Sequence, residues 1–238
     1  MHEAAEPADP GRAELYRALE VIEDSLSSGL RLHRAPEEFL QGLEQTSHPA
    51  PELKERLAEL ERRAAGCTAC PLAAGRNRPV FGQGVMSPLV LVVGEGPGAE
   101  EDQQGLPFVG PSGKLLDKML AAIGLSRETN CYIANIVKCR PPNNREPAPD
   151  ERSACMPFLE EQISLLAPKA ILCAGRTAAQ SLLSTTEGIN RLRTSLHRHG
   201  DLPVVATFHP SALLRDETLK RPAWEDLKRL RDLLPDGR

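Results

Sequence analysis

Four short apolar runs constrain this chain more than anything else in it: LVLVV (89–93), CYIANIV (131–137), AILCA (170–174) and VVATF (204–208). Each has the length of a strand, and none alternates with polar residues, so each reads as a strand buried on both faces. Helical patterns lie between them. In SGKLLDKMLAAIG, Leu115, Leu116, Met119, Leu120 and Ile123 share one face, with Gly124 as the stop. Asp150 is placed to cap ERSACMPFLEEQISLLA, while TAAQSLL and AWEDLKRLRDLL supply two more helices. Strands that alternate with helices predict an α/β fold of three layers, α/β/α, around a central four-stranded, mainly parallel sheet. Ligands bind at the carboxyl ends of such strands. Three of the four runs lead there into unusual loops, GEGPG, NIVKCRPPNNREP and HPSALLR, which should line one crevice.

Ahead of this pattern, residues 1–50 read as an acidic, helical or partly disordered appendage and linker, and residues 51–238 as the main domain. Leu15, Leu19, Ile22 and Leu26 sit near helical spacing, and QTSHPAP reads as the linker. A further helix, 51–65, places Leu53, Leu57, Leu60 and Ala64 on one face. The overall charge of −4 hides an uneven division. Residues 1–66 carry 8 Lys and Arg against 14 Asp and Glu, whereas the remainder carries 21 against 19. A locally basic surface suffices to approach a phosphate backbone, so the acidic total does not exclude nucleic acid. The densest basic stretch, RLRTSLHRH (191–199), reads equally as a solvated loop or a DNA contact. No apolar run nears the roughly 18 residues of a membrane span, and the first residues lack a signal peptide's apolar segment. A cytoplasmic protein with no membrane partner is expected.

The stretch VVGEGPGAEEDQQGLPFVGPSGKLL (92–116) suggests a phosphate cradle at first sight, since Gly94 to Ala99 fits G-x-G-x-x-G/A. The acids Glu100, Glu101 and Asp102 would repel a pyrophosphate there. The P-loop register also fails, because Phe108 stands where a glycine is required and Leu115 replaces the metal-binding Ser or Thr. The loop therefore presents backbone and a carboxylate to something neutral. Phe108, one of only five phenylalanines, either pins the loop from the core or offers a flat face to a planar ligand.

Six cysteines remain to be placed. Cys131 and Cys173 fall inside strands and read as small core thiols. Cys67 and Cys70 form a C-x-x-C, Cys139 follows the second strand, and Cys155 lies early in the next helix. In a reducing compartment this set suggests a metal. Spacing alone leaves zinc and an iron–sulfur cluster both open.

GEGPGAEED, GLPFVG, NIVKCRPPNNREP, HPSALLR and the four dispersed cysteines together resemble the family 4 uracil-DNA glycosylases, iron–sulfur enzymes of the uracil-glycosylase superfamily. The resemblance runs from about residue 66 to about residue 234 and leaves the appendage, and any partner of it, outside. It implies a [4Fe–4S] cluster on Cys67, Cys70, Cys139 and Cys155. It implies a DNA repair enzyme, expected to be monomeric, that flips uracil out of single- or double-stranded DNA and hydrolyses its N-glycosidic bond. A related branch that bonds covalently to DNA carries a basic insertion near the position of Asn144. None is present here, so turnover is expected.

Roles follow residue by residue from the resemblance. Phe108 would stack on the flipped base, and Asn135 would read the pyrimidine edge by donating to O4 and accepting from N3–H. Gly96 belongs with them against the substrate, and Glu101 would exclude the 5-methyl of thymine. His209 would stabilise the departing uracil anion at O2. Glu95 would position or activate water, with Asn144 helping to hold that water or the strand. Ser112, Lys114 and Ser211 would bind flanking phosphates, and Leu213, Leu214 or Arg215 would wedge into the gap left by the base. Two other readings stand beside this one: a superfamily glycosylase for another deaminated base such as hypoxanthine, and a non-catalytic Fe–S or zinc DNA-binding module. Asn135 argues against the first, and the intact set Glu95, Asn135 and His209 against the second.

Overall fold

The computed structural model describes residues 50–234. The appendage expected over residues 1–50, with its helix and linker, lies outside the described residues but for Ala50. Six strands form one sheet: β1 (Gln83–Gly84), β2 (Val90–Gly94), β3 (Cys131–Asn135), β4 (Ala170–Ala174), β5 (His197–His199) and β6 (Leu202–Thr207). Their order is β1-β3-β2-β4-β6-β5. The four expected strands, β2, β3, β4 and β6, pair in parallel as read. Two short antiparallel strands, β1 and β5, extend the edges. The second lies inside RLRTSLHRH, where His197 to His199 pairs back on Leu202 to Val204. This part of the basic stretch is therefore an edge strand rather than a loop.

Eight α-helices are described: α1 (Ala50–Ala65), α2 (Ala99–Gln104), α3 (Pro111–Ala121), α4 (Pro149–Leu166), α5 (Arg176–Leu182), α6 (Ile189–Leu192), α7 (Pro210–Arg215) and α8 (Lys220–Arg231). Alternate residues of the strands serve opposite cores, as a pleated sheet requires. Leu91, Val93, Tyr132 and Ile171 meet Leu159 and Ile163 of α4 and Ala178 and Leu182 of α5. Val92, Ile133, Leu172 and Val205 meet Leu116, Met119 and Leu120 of α3 and Leu227 and Leu230 of α8. Helices thus cover both faces, which is the three-layer α/β/α arrangement. Asp150 is not the cap of α4. Pro149 occupies the first turn, where its missing N–H costs nothing, so the helix starts earlier, with Ala148 at the cap position. The buried Glu151 carboxylate accepts from the Ala148 N–H at 2.7 Å and pairs with Arg145.

The apolar face of α1 behaves as its spacing predicts. Leu53, Leu60 and Ala64 are buried with Phe81 and with Leu165 of α4, and Leu57 packs against them. Gly66 then turns the chain toward the first pair of cysteines.

Truncating Leu60, which is fully buried, is expected to cost about 2–5 kcal/mol of stability. Lys54→Ala on the exposed side of the same helix should stay within about 0.5 kcal/mol. Urea denaturation of both variants measures the difference, and equal midpoints would remove α1 from the domain.

Candidate active site

Gly94 pairs with Asn135 and Ala174 with Thr207, so the four parallel strands end at one level. Strand order reverses between β2 and β4, the position where α/β sheets open a crevice. A cleft of about 670 Å³ lies there. The three loops singled out in the sequence all line it, through Glu95 to Gly98, Asn135 with Asn144, and His209 with Ser211. The fourth strand contributes as well, through Gly175, Arg176 and Thr177. The same rule that flagged the other loops would have found Arg176, since it follows an apolar run and a glycine.

The cleft has a buried polar floor. Asn135 is 2% exposed, and its Oδ1 has no hydrogen-bond partner. A buried acceptor without a donor costs free energy unless a ligand supplies one. Gly94 lies beside it. A Cβ there would fall 2.4 Å from Asn135 Oδ1 and 2.7 Å from the Phe108 ring, so only glycine leaves room for both. Phe108 is buried and lines the cleft while joining the core that includes Leu116. It therefore packs in the core and borders the cleft at the same time. Its backbone is left-handed, with φ 52°. Gly113 packs so closely on it that a Cβ would fall 1.8 Å from the Phe108 carbonyl oxygen.

His209 closes the opposite side, its ring 5.7 Å from that of Phe108 at an angle of 29°. Burial first, then the charge of Arg215, pushes its pKa from the ordinary 6.5 down to about 4, with Glu101 pulling weakly the other way. The ring is therefore neutral at physiological pH. Nδ1 accepts from the Ser211 backbone N–H at 3.1 Å and lies 2.8 Å from Ser211 Oγ. With Nδ1 used as an acceptor, the proton sits on Nε2, which is left to donate.

The acids divide their work. The Glu95 carboxylate lines the cleft and forms no hydrogen bond or ion pair among the described residues. Glu101 folds back instead, and its Oε1 accepts from the Val109 and Gly110 N–H groups at 2.9 and 3.0 Å. Those amides are thereby closed to a phosphate. Asp102 is buried and accepts from the Asn77 N–H at 3.0 Å. Asn144 lines the cleft from a short turn in which Asn143 and Asn144 are both left-handed. Its Oδ1 accepts from Arg140 Nε at 2.8 Å.

Gly96, Ser112, Ser211 and Arg215 all line the cleft, whereas Lys114 stands on the exposed side of α3 outside its lining. Leu213 is 2% exposed and packs in the core, so it has nothing to insert between bases; Leu214, 50% exposed, is the neighbour that points outward. Two arginines that sequence reading passed over, Arg145 and Arg176, line the cleft while paired with Glu151 and Glu146.

The four non-strand cysteines converge elsewhere. Cys67, Cys70, Cys139 and Cys155 line one small hollow with Arg76 and Lys138. Three of the sulfurs accept hydrogen bonds: Cys139 from Arg76 Nη1 at 3.2 Å, Cys155 from the Lys138 N–H at 3.3 Å, and Cys67 from the Ala69 N–H at 3.5 Å. Burial pushes the Cys139 and Cys155 thiols up, opposed by Arg76 at the first and Lys138 at the second. Among the described residues, no group of three or more His, Cys, Asp or Glu is arranged to hold a single metal ion. Cys131 and Cys173 lie in the sheet, each pushed up to about 12 by burial, as core thiols would be. Lys138 is also fully buried, which lowers its pKa to about 8. Its Nζ donates to the Asn135 carbonyl at 2.9 Å and to Gln162 Oε1 at 2.6 Å. One residue thus touches both the cysteine hollow and the strand that carries Asn135.

The family model for the uracil DNA glycosylase superfamily matches residues 81–228. A type-4 uracil-DNA glycosylase of Thermotoga maritima is 41% identical over 186 residues, which span 76% of this chain and 96% of that protein. The type-4 enzyme of Sulfurisphaera tokodaii is 37% identical over 75% of this chain and 85% of its own length. That of Archaeoglobus fulgidus is 38% identical, over 75% and 94% respectively.

The neutral state of His209 has a consequence for stability. Between the folded value of about 4 and the ordinary 6.5, the unfolded chain binds more protons than the folded one, so stability rises with pH. The contribution is complete above the ordinary value and is lost as pH falls toward the folded one. His209→Gln should therefore flatten the dependence of the urea midpoint on pH across that window. Parallel profiles for the two proteins would mean that burial does not hold the ring neutral.

Proposed function

The chain belongs to the type-4 family of the uracil-DNA glycosylase superfamily, and from that premise we propose how its cleft takes a flipped uracil and cuts it from the sugar. The protein is a DNA repair glycosylase, a hydrolase of N-glycosidic bonds that releases uracil and leaves an abasic site. The buried, unpartnered Oδ1 of Asn135 carries the reading of the pocket. Uracil brings an N–H at N3 to meet it. Cytosine brings a lone pair at the same position and would leave both acceptors unsatisfied. Phe108 offers the stacking face, worth about 1–3 kcal/mol per base.

Bond cleavage sends the electron pair of the glycosidic bond onto the base and leaves the sugar cationic. His209, neutral and protonated on Nε2, donates to O2, where the negative charge gathers. Because the ring is neutral it has no imidazolium proton to deliver, and its Nε2–H stabilises the anion by hydrogen bonding. On the sugar side Glu95 balances the positive charge and holds a water. The water oxygen bonds to C1′, Glu95 takes a water proton, and the uracil anion gathers its own proton from solvent. Asn144, also in the lining, would help hold the water or the strand. Glu101 acts on the pocket wall through the loop it braces, which keeps that wall close to the base's 5-position. Arg145, Arg176, Arg215, Ser112 and Ser211 ring the mouth where flanking phosphates run, with Lys114 further out. Leu214 or Arg215 is left to fill the gap in the stack.

The hollow between Cys67, Cys70, Cys139 and Cys155 fits a [4Fe–4S] cluster. Four separate thiols line one hollow, and hydrogen-bond donors face three of the sulfurs, which suits a group that takes one thiolate at each of four irons. When bound, the cluster would supply a cross-link between the end of α1 and the loop that bears Asn144. Arg76 and the Lys138 amide would hold the thiolates in place. On this reading the protein is brown, with about four irons per chain. Cys155→Ala should lose iron and soluble protein together while Cys173→Ala keeps both; stoichiometric zinc without iron after anaerobic purification would overturn it.

The catalytic reading is tested with a labelled oligonucleotide bearing one uracil, followed by alkali. Under single-turnover conditions Glu95→Gln should slow cleavage about tenfold or more with affinity for abasic DNA unchanged. Cleavage at the wild-type rate would take the carboxylate out of the chemistry.

A further inference from the structure

Phe108 stands in a backbone conformation that a side chain makes costly. At φ 52° its Cβ crowds its own peptide, and such residues persist only where the surroundings hold them. The holding groups here are specific. Arg127, 8% exposed, reaches in from the turn between α3 and β3. Its Nη2 donates to the Phe108 carbonyl at 3.0 Å and its Nη1 to the Pro107 carbonyl at 2.9 Å. The rest of the guanidinium is fixed in turn. Nε and Nη2 donate to Asp117 Oδ1 on α3 at 3.0 and 2.7 Å, and Nη1 also donates to Gln83 Oε1 on β1 at 3.0 Å. On the far side of the same loop, Glu101 accepts from the next two amides. A cation therefore grips the carbonyls at 107 and 108, and an anion grips the N–H groups at 109 and 110.

Resting on the assignment of the cleft as a uracil pocket, we infer that Arg127 is a positioning residue for base excision: it fixes the Phe108 ring in its stacking pose before the base arrives. A guanidinium suits this because its planar fork meets two carbonyls and a carboxylate at once, which an ammonium cannot do. The pose matters because the ring faces His209, the group that meets the developing charge. A stacking surface displaced by a fraction of an ångström would misalign the base against both Asn135 and His209.

The test is a double-mutant cycle of Arg127→Lys and Phe108→Ala, read as the single-turnover rate on a uracil-containing oligonucleotide, with affinity for abasic DNA and the urea midpoint measured alongside. If Arg127 acts through the ring, Arg127→Lys slows excision by about tenfold in the otherwise unchanged protein and by less than about twofold once the ring is gone. Affinity for abasic DNA stays within about twofold throughout, and the urea midpoint shows whether each variant folds. An equal slowing in both backgrounds would overturn the inference and leave the pocket assignment standing. No slowing by Phe108→Ala would overturn both. Asp117→Asn, which leaves the guanidinium in place but unties it from α3, keeps the question answerable if Arg127→Lys does not fold. It should slow excision by about threefold only where Phe108 is present, and the same loss without the ring would count against the inference.

Discussion

The parallel register of β3, β2, β4 and β6 is the constraint on which the rest depends. Because Gly94 lies opposite Asn135 and Ala174 opposite Thr207, the next residues of every strand leave the sheet at a common height. Glu95, Gly175 and the Phe208–His209 pair are delivered to one crevice by the register of the sheet. A slip of one residue in any of these strands would turn its apolar set over and carry its functional residue away from the others. The large apolar cores on both faces oppose that slip, so burial sets the geometry of the chemistry.

The same logic explains what could be read from the sequence. Strands buried on both faces must be apolar throughout, which makes them conspicuous, and their carboxyl ends then point to Glu95, Asn135 and His209. β1 and β5 escape this logic. They are two and three residues long, lie at the sheet edges, and carry no apolar pattern in Gln83–Gly84 or His197–His199. Arg127 and Lys138 escape it for another reason. Each is a charged residue whose partners are backbone carbonyls and side chains from other segments, and such pairings leave no periodic trace. Glu101 was visible as an acid beside the pocket, but its bonds to Val109 and Gly110 arise only when the loop folds back over α2. Leu213 and Leu214 show the limit most simply. Adjacent leucines look alike in sequence, and the direction of one short helix decides which is buried.

Opposite charges share the cleft without cancelling. Glu95, Glu100 and Glu101 lie toward the Gly-rich loop, and Arg145, Arg176, Arg215 and the neutral His209 toward the other loops. Two of those arginines are already paired to glutamates, so on the proposed reading an arriving phosphate would exchange one partner for another rather than meet a bare charge. On that reading, binding there should weaken with salt as phosphate contacts do.

Gly94 bears on how such a pocket can change over generations. Any side chain at this position meets Asn135 Oδ1 on one side and the Phe108 ring on the other. On the roles proposed for Asn135 and Phe108, the commonest single-step mutations of a glycine would therefore disturb the hydrogen-bonding reader and the stacking face together. A lineage drifting toward a different damaged base would find this wall closed to gradual remodelling. The route left open is replacement of the reader itself, Asn135, on a backbone that stays where the sheet puts it.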